Sequence, residues 1–449
     1  MWARIFVITS IIGAVLISCP ELSFAPENNA EPAKLSKAED QFQQGREALF
    51  QGNYKQAIKQ LKQAVKEDPT KISYRLYLAR AYYYAENQKE AQKLLAEIIK
   101  TTPDHVEAGQ LLAEIYAKQE KWEDVVSVLE PLLKYRHDYP TYHMLAEAKY
   151  NLNEYKEARK HFEEAVKLNP NSGSDYYQLG NIYLAGNAFA LAADAYQSAL
   201  RLGIETPILH YKLGSAFFNL RNYFGKISVA KVKGGRAGTI SEDWYLIEPV
   251  PGKKDLFHAA PKDSAIYQVA KAVAEGIEDT PDIQFLTANI YLNARRYDKA
   301  NEMFKNLEET ISKEDKALFY YYYAQSAFGI HQYDEYLRLL DKAIEIDETT
   351  YKSALVDAYL KVADRHNQAG QLDKYIDFLA KAVQESPETA SLHLKLGHAY
   401  EEAQKYAKAI AQWQMTLNLE PEHPSRMELL NLIEKYRKQL AQPTKRKAS

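Results

Sequence analysis

The glycine-rich segment 234–238 (Gly-Gly-Arg-Ala-Gly) has a composition that could surround a phosphate group. Phosphate-binding loops of this kind end in Gly-Lys-Ser/Thr and connect a buried parallel strand to a helix, so that backbone N–H groups face the anion. The sequence around this segment has neither the ending nor such a strand. We therefore interpret it as the turn of a β-hairpin and predict no nucleotide site.

The histidines show no spacing typical of a metal site. There are 11 of them, and the H-E-x-x-H pattern that binds zinc on one helix is absent from the sequence. His393 and His398 are five residues apart, which separates them by about 140° around a helix. The sequence thus predicts no metal site and no cofactor.

Candidates for acid–base or nucleophilic catalysis are equally weak. The paired carboxylates Glu163-Glu164 and Glu401-Glu402 fall on predicted helix surfaces, where charges are normally solvated. Cys19 is the only cysteine and lies in a predicted export signal, so it cannot be a catalytic nucleophile. We expect a protein without catalytic residues, which is not an enzyme.

The N-terminal residues are typical of an export signal. Residues 5–17 are apolar and follow a short positive start, but they are too few for a transmembrane helix of about 20 residues. Residues 16–19 look like a bacterial lipoprotein cleavage box, which predicts a signal peptide over residues 1–19 and lipidation of Cys19. An ordinary signal-peptidase site after Ala25 is the alternative. We expect an exported protein, lipid-anchored at the periplasmic face of a bacterial membrane or else soluble in the periplasm or secreted.

Composition restricts the class of protein further. Of 449 residues, 46% are hydrophobic and 26% charged, with 18 Gly and 17 Pro, which excludes collagen-like and broadly disordered chains. The net charge is −3, without a basic stripe, so no nucleic-acid partner is expected. The proline-containing residues 20–37 are predicted to form a flexible tether, and 442–449 a solvated basic tail.

Internal repetition is the dominant signal in the rest of the chain. Pro69 and Pro103 are 34 residues apart, and Gly180 and Gly214 show the same interval in a different phase. Within residues 176–199, large and small apolar residues recur at spacings of three and four, first on one helical stripe and then on a second. Each period therefore encodes two amphipathic helices joined by a turn.

One copy of the period carries a recognisable motif: Leu396-Gly397, Tyr400, Tyr406, Ala409, Trp413 and Pro421. This pattern resembles the tetratricopeptide repeat (TPR). The resemblance implies an all-α fold, an α–α superhelical solenoid. Five repeats are expected in 38–206, four in 281–423 and a capping helix at 424–441. The individual repeats are placed at 38–71, 72–105, 106–138, 139–172, 173–206, 281–314, 317–350, 356–389 and 390–423.

The remaining repeat, 207–280, is split. It has 74 residues against a period of 34, so about 40 residues are inserted. Apolar and polar residues alternate near 227–229, and 243–247 is rich in β-forming residues. We predict a small β-hairpin insertion at about 224–262 that packs back on the array through Trp244. Arg236, Trp244 and Tyr245 are its candidate surface residues.

The resemblance also implies where a partner would bind. In TPR arrays the first helix of each repeat lines a concave groove, and positions 2, 5, 9, 12 and 13 of that helix contact the ligand. The Lys-and-Asn pair that grips a C-terminal carboxylate in chaperone-binding members is absent here. The candidate groove residues are Phe42, Arg46, Leu76, Arg80, Tyr83, Tyr84, Tyr177, Asn181, Tyr211, Phe285, Asn289, Tyr321 and Gln325.

Aromatic residues beside amides suit an extended peptide, because rings bury side chains and amides bond the backbone. The competing interpretation is that these aromatic side chains complete the core between repeats. The preferred hypothesis is a non-catalytic scaffold or adaptor of the bacterial cell envelope that binds proteins or peptides. A carbohydrate-associated role in polysaccharide export or binding is the alternative, because tyrosines can stack on sugar rings. An enzyme with an unrecognised site in the insert is the third.

Overall fold

A computed structural model describes residues 36–441, which fall into two compact units divided between Arg136 and His137. The predicted signal peptide with Cys19, nearly all of the tether and the basic tail lie outside the described residues. Among residues 36–441, no helix is long and apolar enough to cross a membrane.

The described part of the first unit is built from helix pairs in which each helix packs on the next. It ends in a short 3-10 helix, Glu130–Lys134. Its α-helices are α1 Lys37–Phe50, α2 Tyr54–Glu67, α3 Ile72–Tyr84, α4 Gln88–Thr101, α5 Val106–Lys118 and α6 Trp122–Leu129.

The second unit continues the same alternation and contains a small sheet between its fifth and sixth helices. Its strands are β1 Ser228–Lys231, β2 Ile240–Ser241, β3 Trp244–Pro249 and β4 Leu256–Pro261. Its helices are α7 Tyr139–Asn151, α8 Tyr155–Leu168, α9 Gly173–Ala185, α10 Phe189–Arg201, α11 Pro207–Asn219, α12 Ala265–Ala274, α13 Pro281–Asn293, α14 Tyr297–Leu307, α15 Lys316–Gly329, α16 Tyr333–Ile346, α17 Glu348–Gln368, α18 Leu372–Glu385, α19 Ala390–Glu402, α20 Tyr406–Leu419 and α21 Arg426–Ala441. The helical solenoid predicted from the sequence is confirmed, although α17 begins eight residues before the predicted repeat at 356.

The turn inside each helix pair has the same backbone geometry. In all ten described pairs, one residue of the turn has positive φ, a conformation that ends the first helix. Glycine or asparagine supplies it at some turns, such as Gly52, Asn153 and Asn187, but Glu, Arg, His and Gln supply it at the others. At the first two turns, the next residue is an asparagine whose side chain caps the second helix.

Small residues on the first helix allow the second helix to pack closely. A Cβ added to Gly180 would lie 2.6 Å from the ring of Tyr196, and one added to Gly397 would lie 2.5 Å from the ring of Trp413. Both rings are completely buried. The two helices of this repeat therefore approach closely at Gly180, and Tyr196 fills the space around it.

The insert is a four-stranded antiparallel sheet with the order β1-β4-β3-β2, rather than the predicted single hairpin. The two predicted strands do not pair with each other: β1 pairs with β4, and β3 lies between β4 and β2. The glycine segment 234–238 connects β1 to β2. The prediction was wrong because the sequence alternation locates strands but does not identify their partners, and β4 was not recognised.

The insert lies between α11 and α12, directly after the turn that follows α11. The backbone N–H groups of Ala265 and Ile266 donate to the carbonyls of Asn222 and Tyr223, at 2.9 and 3.0 Å. These bonds correspond to the one from Ala192 to Ala188 at the start of α10 in the preceding, uninterrupted repeat. The hydrogen-bond pattern of the repeat is therefore continued across about 40 inserted residues.

Candidate partner-binding surface

The first helices of consecutive repeats contact one another, as α1 contacts α3 and α3 contacts α5 in the first unit. In the second unit the same contacts join α9 to α11 and α13 to α15. We call the surface formed by these helices the first-helix face of each unit. The candidate groove residues are positioned along it.

Two candidates of the first unit belong to its core. Phe42 is 7% exposed and packs on Tyr74 and Tyr77, with ring centroids 4.7 and 5.2 Å away, and Leu76 is 4% exposed. Burial removes both side chains from contact with a partner, so the competing interpretation, in which they complete the core between repeats, holds at these positions.

The thirteenth residue of the first two predicted repeats, 38–71 and 72–105, is exposed instead. Phe50 is 94% exposed and Tyr84 is 54% exposed, and these residues occupy equivalent places on α1 and α3. Tyr84 stacks on Tyr54 at 5.9 Å and contacts Tyr83 edge to face. Phe50 was not selected from the sequence, although its 34-residue spacing from Tyr84 would have identified it. Phe50 and Tyr84 are thus exposed at the same end of two first helices that contact each other, and we call these two rings the aromatic surface.

Charged side chains lie beside these rings. Arg46 is exposed at the ninth position of the first repeat, and Arg80, at the ninth position of the second, is ion-paired with Glu107. The hydroxyl of Tyr83 donates a hydrogen bond to Glu114. Burial and this hydrogen bond raise the pKa of Tyr83 above its ordinary value. The aromatic surface is therefore bordered by groups that can bond a peptide backbone.

In the second unit, Asn181 is already engaged within the protein. Its Oδ1 accepts hydrogen bonds from Tyr196 at 3.0 Å and Lys212 at 2.7 Å, and its Nδ2 donates to Gln178 at 2.9 Å. Lys212 also donates to the hydroxyl of Tyr177 at 3.1 Å. Only one N–H of the Asn181 amide remains for a partner. Asn181 therefore cannot both donate to and accept from a peptide backbone, as the sequence suggested.

The other candidates of this face line the seams between helices. Asn289 is 4% exposed, which removes it from the binding surface. Tyr211, Phe285, Tyr321 and Gln325 are half-buried. Burial and the nearby Asp282 raise the pKa of Tyr211 to about 12. Phe285 and Tyr321 pack on aromatic rings of the next first helix.

A histidine on the same face was missed by the sequence analysis. His143, at the fifth position of α7, lies 2.6 Å from the buried Asp175 through Nδ1, and its Nε2 lies 3.7 Å from Glu147. Desolvation lowers the pKa of His143, but the hydrogen bond with Asp175 and the charges of Glu147 and Asp175 together raise it by more. The result is a raised pKa and a pH-sensitive link between α7 and α9.

On the insert, only part of the predicted surface is accessible. Arg236 is exposed, and Trp244 is half-buried against Leu246 and Phe257 within the sheet. Tyr245 is 5% exposed and hydrogen-bonds through its hydroxyl to Tyr291 of α13. The predicted anchor was therefore wrong by one residue: neighbouring strand residues face opposite sides, so Tyr245 packs on the array and Trp244 does not.

A shallow cleft between α16 and α18 was also not predicted. It is lined by Tyr333, Lys374 and the parallel rings of His366 and Phe378, whose centroids are 5.4 Å apart. These residues come from three helices, so no local sequence pattern connects them.

The first helix pairs match known repeat families. Residues 48–108, 85–149 and 143–207 each match a family described as tetratricopeptide repeat. The chain therefore contains TPRs, and the repeat family predicted from the sequence is confirmed for this region. No curated protein matches the chain.

Several solved structures are similar to parts of the chain. MamA from Desulfovibrio magneticus RS-1 is 18% identical, with 38% of this chain and 97% of that chain covered and a TM-score of 0.35. YrrB, described as a TPR protein with an unusual peptide-binding site, is 20% identical, with 49% and 92% covered and a TM-score of 0.35. TTC0263, a thermophilic TPR protein from Thermus thermophilus, is 19% identical, with 40% and 99% covered and a TM-score of 0.30.

Proposed function

We propose that the protein is a non-catalytic scaffold that binds an extended peptide or protein segment on the first-helix face of its first unit. The observation that carries this proposal is the exposure of Phe50 and Tyr84 at equivalent positions of α1 and α3. Large exposed aromatic side chains are unfavourable in water and are enriched where proteins bind partners. TPR solenoids generally bind proteins rather than catalyse reactions, which agrees with this assignment.

The spacing of the two rings fits an extended ligand. Contacting helices lie about 8–10 Å apart, and an extended chain advances about 3.3 Å per residue. In a polyproline II-like extended segment, side chains three residues apart lie on the same side and about 9 Å apart, so they would reach both Phe50 and Tyr84. Arg46 and the Arg80–Glu107 pair lie beside them and provide donors and acceptors for the backbone between.

The test is selection of binding peptides from a random peptide library, followed by fluorescence anisotropy with the selected peptide. Phe50→Ala/Tyr84→Ala should weaken binding at least about tenfold, because each exposed ring lost from a binding site typically costs about 1 kcal/mol or more. The matched control is Tyr135→Ala/Met427→Ala, which removes two exposed apolar side chains elsewhere. Equal binding by wild type and the Phe50/Tyr84 variant, both helical by circular dichroism, refutes the proposed surface.

The location in the cell envelope is a separate part of the proposal. It is supported by the apolar residues 5–17 and by Cys19 directly after a lipoprotein-like box. In a bacterial host, metabolic labelling with a fatty acid should mark the wild-type protein and fail to mark Cys19→Ala. Labelling of both, or of neither, contradicts lipidation at this residue.

A further inference from the structure

Three side chains meet where α11 begins and α12 ends: Glu205 and His210 are five residues apart, and Glu275 follows 65 residues later. Glu205 lies in the turn before α11, His210 on α11, and Glu275 at the end of α12. His210 Nε2 lies 3.6 Å from Glu205 Oε1 and 3.4 Å from Glu275 Oε2. One ligand atom from each residue lies within 4.8 Å of the others, which is close enough for all three to contact one ion.

The orientation of His210 is set by a second hydrogen-bonded side chain. Gln268 donates from Nε2 to the carbonyl of Lys262 at 2.6 Å, so its Oε1 must be the atom that faces the imidazole. That oxygen lies 2.6 Å from His210 Nδ1 and can only accept, so Nδ1 carries the proton. In the neutral ring, the lone pair is then on Nε2, directed at the two carboxylates.

This Nε2 atom has no hydrogen-bond partner among the described residues, although the His210 side chain is only 4% exposed. A buried polar atom without a partner costs about 1–3 kcal/mol, so such atoms need an explanation. A ligand of the imidazole supplies one.

We propose that His210, Glu205 and Glu275 bind a divalent transition-metal ion such as Zn²⁺. Metal–ligand bonds of about 2.0–2.2 Å in a tetrahedral site place neighbouring ligand atoms about 3.3–3.6 Å apart. The separations of 3.6 and 3.4 Å agree with this geometry. A hydrogen bond from the other ring nitrogen, here to Gln268, is the usual support of a metal-bound histidine. Water would complete the coordination.

Lys271 is the group that competes with the ion. Its ammonium lies 2.7 Å from Glu275 Oε1 and 3.7 Å from Glu205 Oε1. Glu275 faces Lys271 with one oxygen and His210 with the other, so it can keep the lysine while Oε2 binds the metal. The lysine side chain is 28% exposed, and its flexible stem allows the ammonium to move away from Glu205.

Another repeat of the same chain shows what a purely structural histidine looks like. His393 is the fourth residue of α19, as His210 is of α11, and both pack against a glutamine of the second helix at 2.6 Å. The Nε2 of His393 bonds to the carbonyl of Pro387 at 2.8 Å, whereas that of His210 faces carboxylates. The two histidines thus share the contact of Nδ1 with a glutamine and differ in what Nε2 faces.

The ion would join the two helices of the split repeat. Glu205 and His210 precede the insert in the chain, and Glu275 follows it. Metal binding would therefore hold the start of α11 against the end of α12 and stabilise the helix pair that the insert splits. This role is independent of the peptide-binding surface in the first unit.

The experiment is titration of the untagged, metal-free full-length protein with Zn²⁺ by calorimetry, together with the thermal unfolding midpoint. Wild type should bind one Zn²⁺ at this site and unfold at a higher temperature with it. His210→Gln and Glu275→Gln should each weaken binding at least about tenfold, and Gln268→Leu about 10–100-fold through loss of the supporting bond. Lys271→Met should bind more tightly, because a competing positive charge is removed.

His393→Gln is the matched control and should bind as wild type does. If His210→Gln does not fold, Glu205→Gln replaces an exposed carboxylate and keeps the test available. Absence of binding to wild type, or equal binding by wild type and the ligand variants, overturns the proposal and leaves the cluster as an ion pair network around Lys271.

Discussion

Removal of the hydroxyl of Tyr245 should loosen the sheet from the helical array. The hydroxyls of Tyr245 and Tyr291 are hydrogen-bonded to each other, and the two residues are 5% and 7% exposed. Tyr245→Phe keeps both rings and their packing but leaves the hydroxyl of Tyr291 buried without this partner. Tyr291→Phe does the same to Tyr245.

The magnitude follows from this burial. A buried hydroxyl left without a partner costs about 1–3 kcal/mol, whereas replacing both partners by apolar groups of the same shape is nearly neutral. Each single variant should therefore lower the free energy of opening of the insert by about 1–3 kcal/mol. The double variant should lose about 1 kcal/mol or less, so the two changes are strongly non-additive.

The assay is amide hydrogen exchange followed by mass spectrometry on peptides that cover β3 and β4, because this method measures local opening within a repeat array. Tyr135→Phe, which removes an exposed hydroxyl in the first unit, should leave exchange in the insert unchanged. Additive losses in the double variant, or no loss in either single variant, would show that the hydrogen bond does not anchor the sheet.

Two further changes test the packing and electrostatics of the second unit. Gly397→Ala should destabilise the protein by about 1–2 kcal/mol in urea unfolding, because the added Cβ would lie 2.5 Å from Trp413. The cost of this overpacking exceeds the gain of about 1 kcal/mol in helix propensity. Gly186→Ala is the control and should not destabilise the protein, because its Cβ meets nothing closer than 3.4 Å. The raised pKa of His143 gives a stabilisation that is complete below about pH 6.5 and is lost as pH rises through that pKa. His143→Asn should therefore flatten the dependence of stability on pH above about pH 6.5, and an unchanged slope would contradict the pairing with Asp175.

The repeat architecture could be predicted because its determinants are local and recur. Gly180 opposite Tyr196 and Gly397 opposite Trp413 recur at positions set by the period. Helix propensity, turn residues and the apolar stripes all indicate the same helix pairs, so a deviation at one position does not change the prediction. At several turns Glu or Arg occupies the positive-φ position without loss of the helix pair.

The candidate sites were less predictable because they depend on three-dimensional neighbours. Whether a groove position is exposed, as Phe50 is, or buried, as Asn289 is, depends on the side chains of adjacent helices. The partner of a β-strand is likewise not encoded in its own alternation. His210 and Glu275 are separated in the sequence by the whole insert, so no spacing rule connects them.

The chain enters and leaves the insert at almost the same point, because Asn222 and Tyr223 bond directly to Ala265 and Ile266. Extending a loop from a few residues to about 40 costs only about 2 kcal/mol of closure entropy. The helix pair can therefore accept a foreign module at this position and keep its own hydrogen bonds at the turn. The same property makes the insert a natural site for exchanging domains or for opening new chain termini by circular permutation.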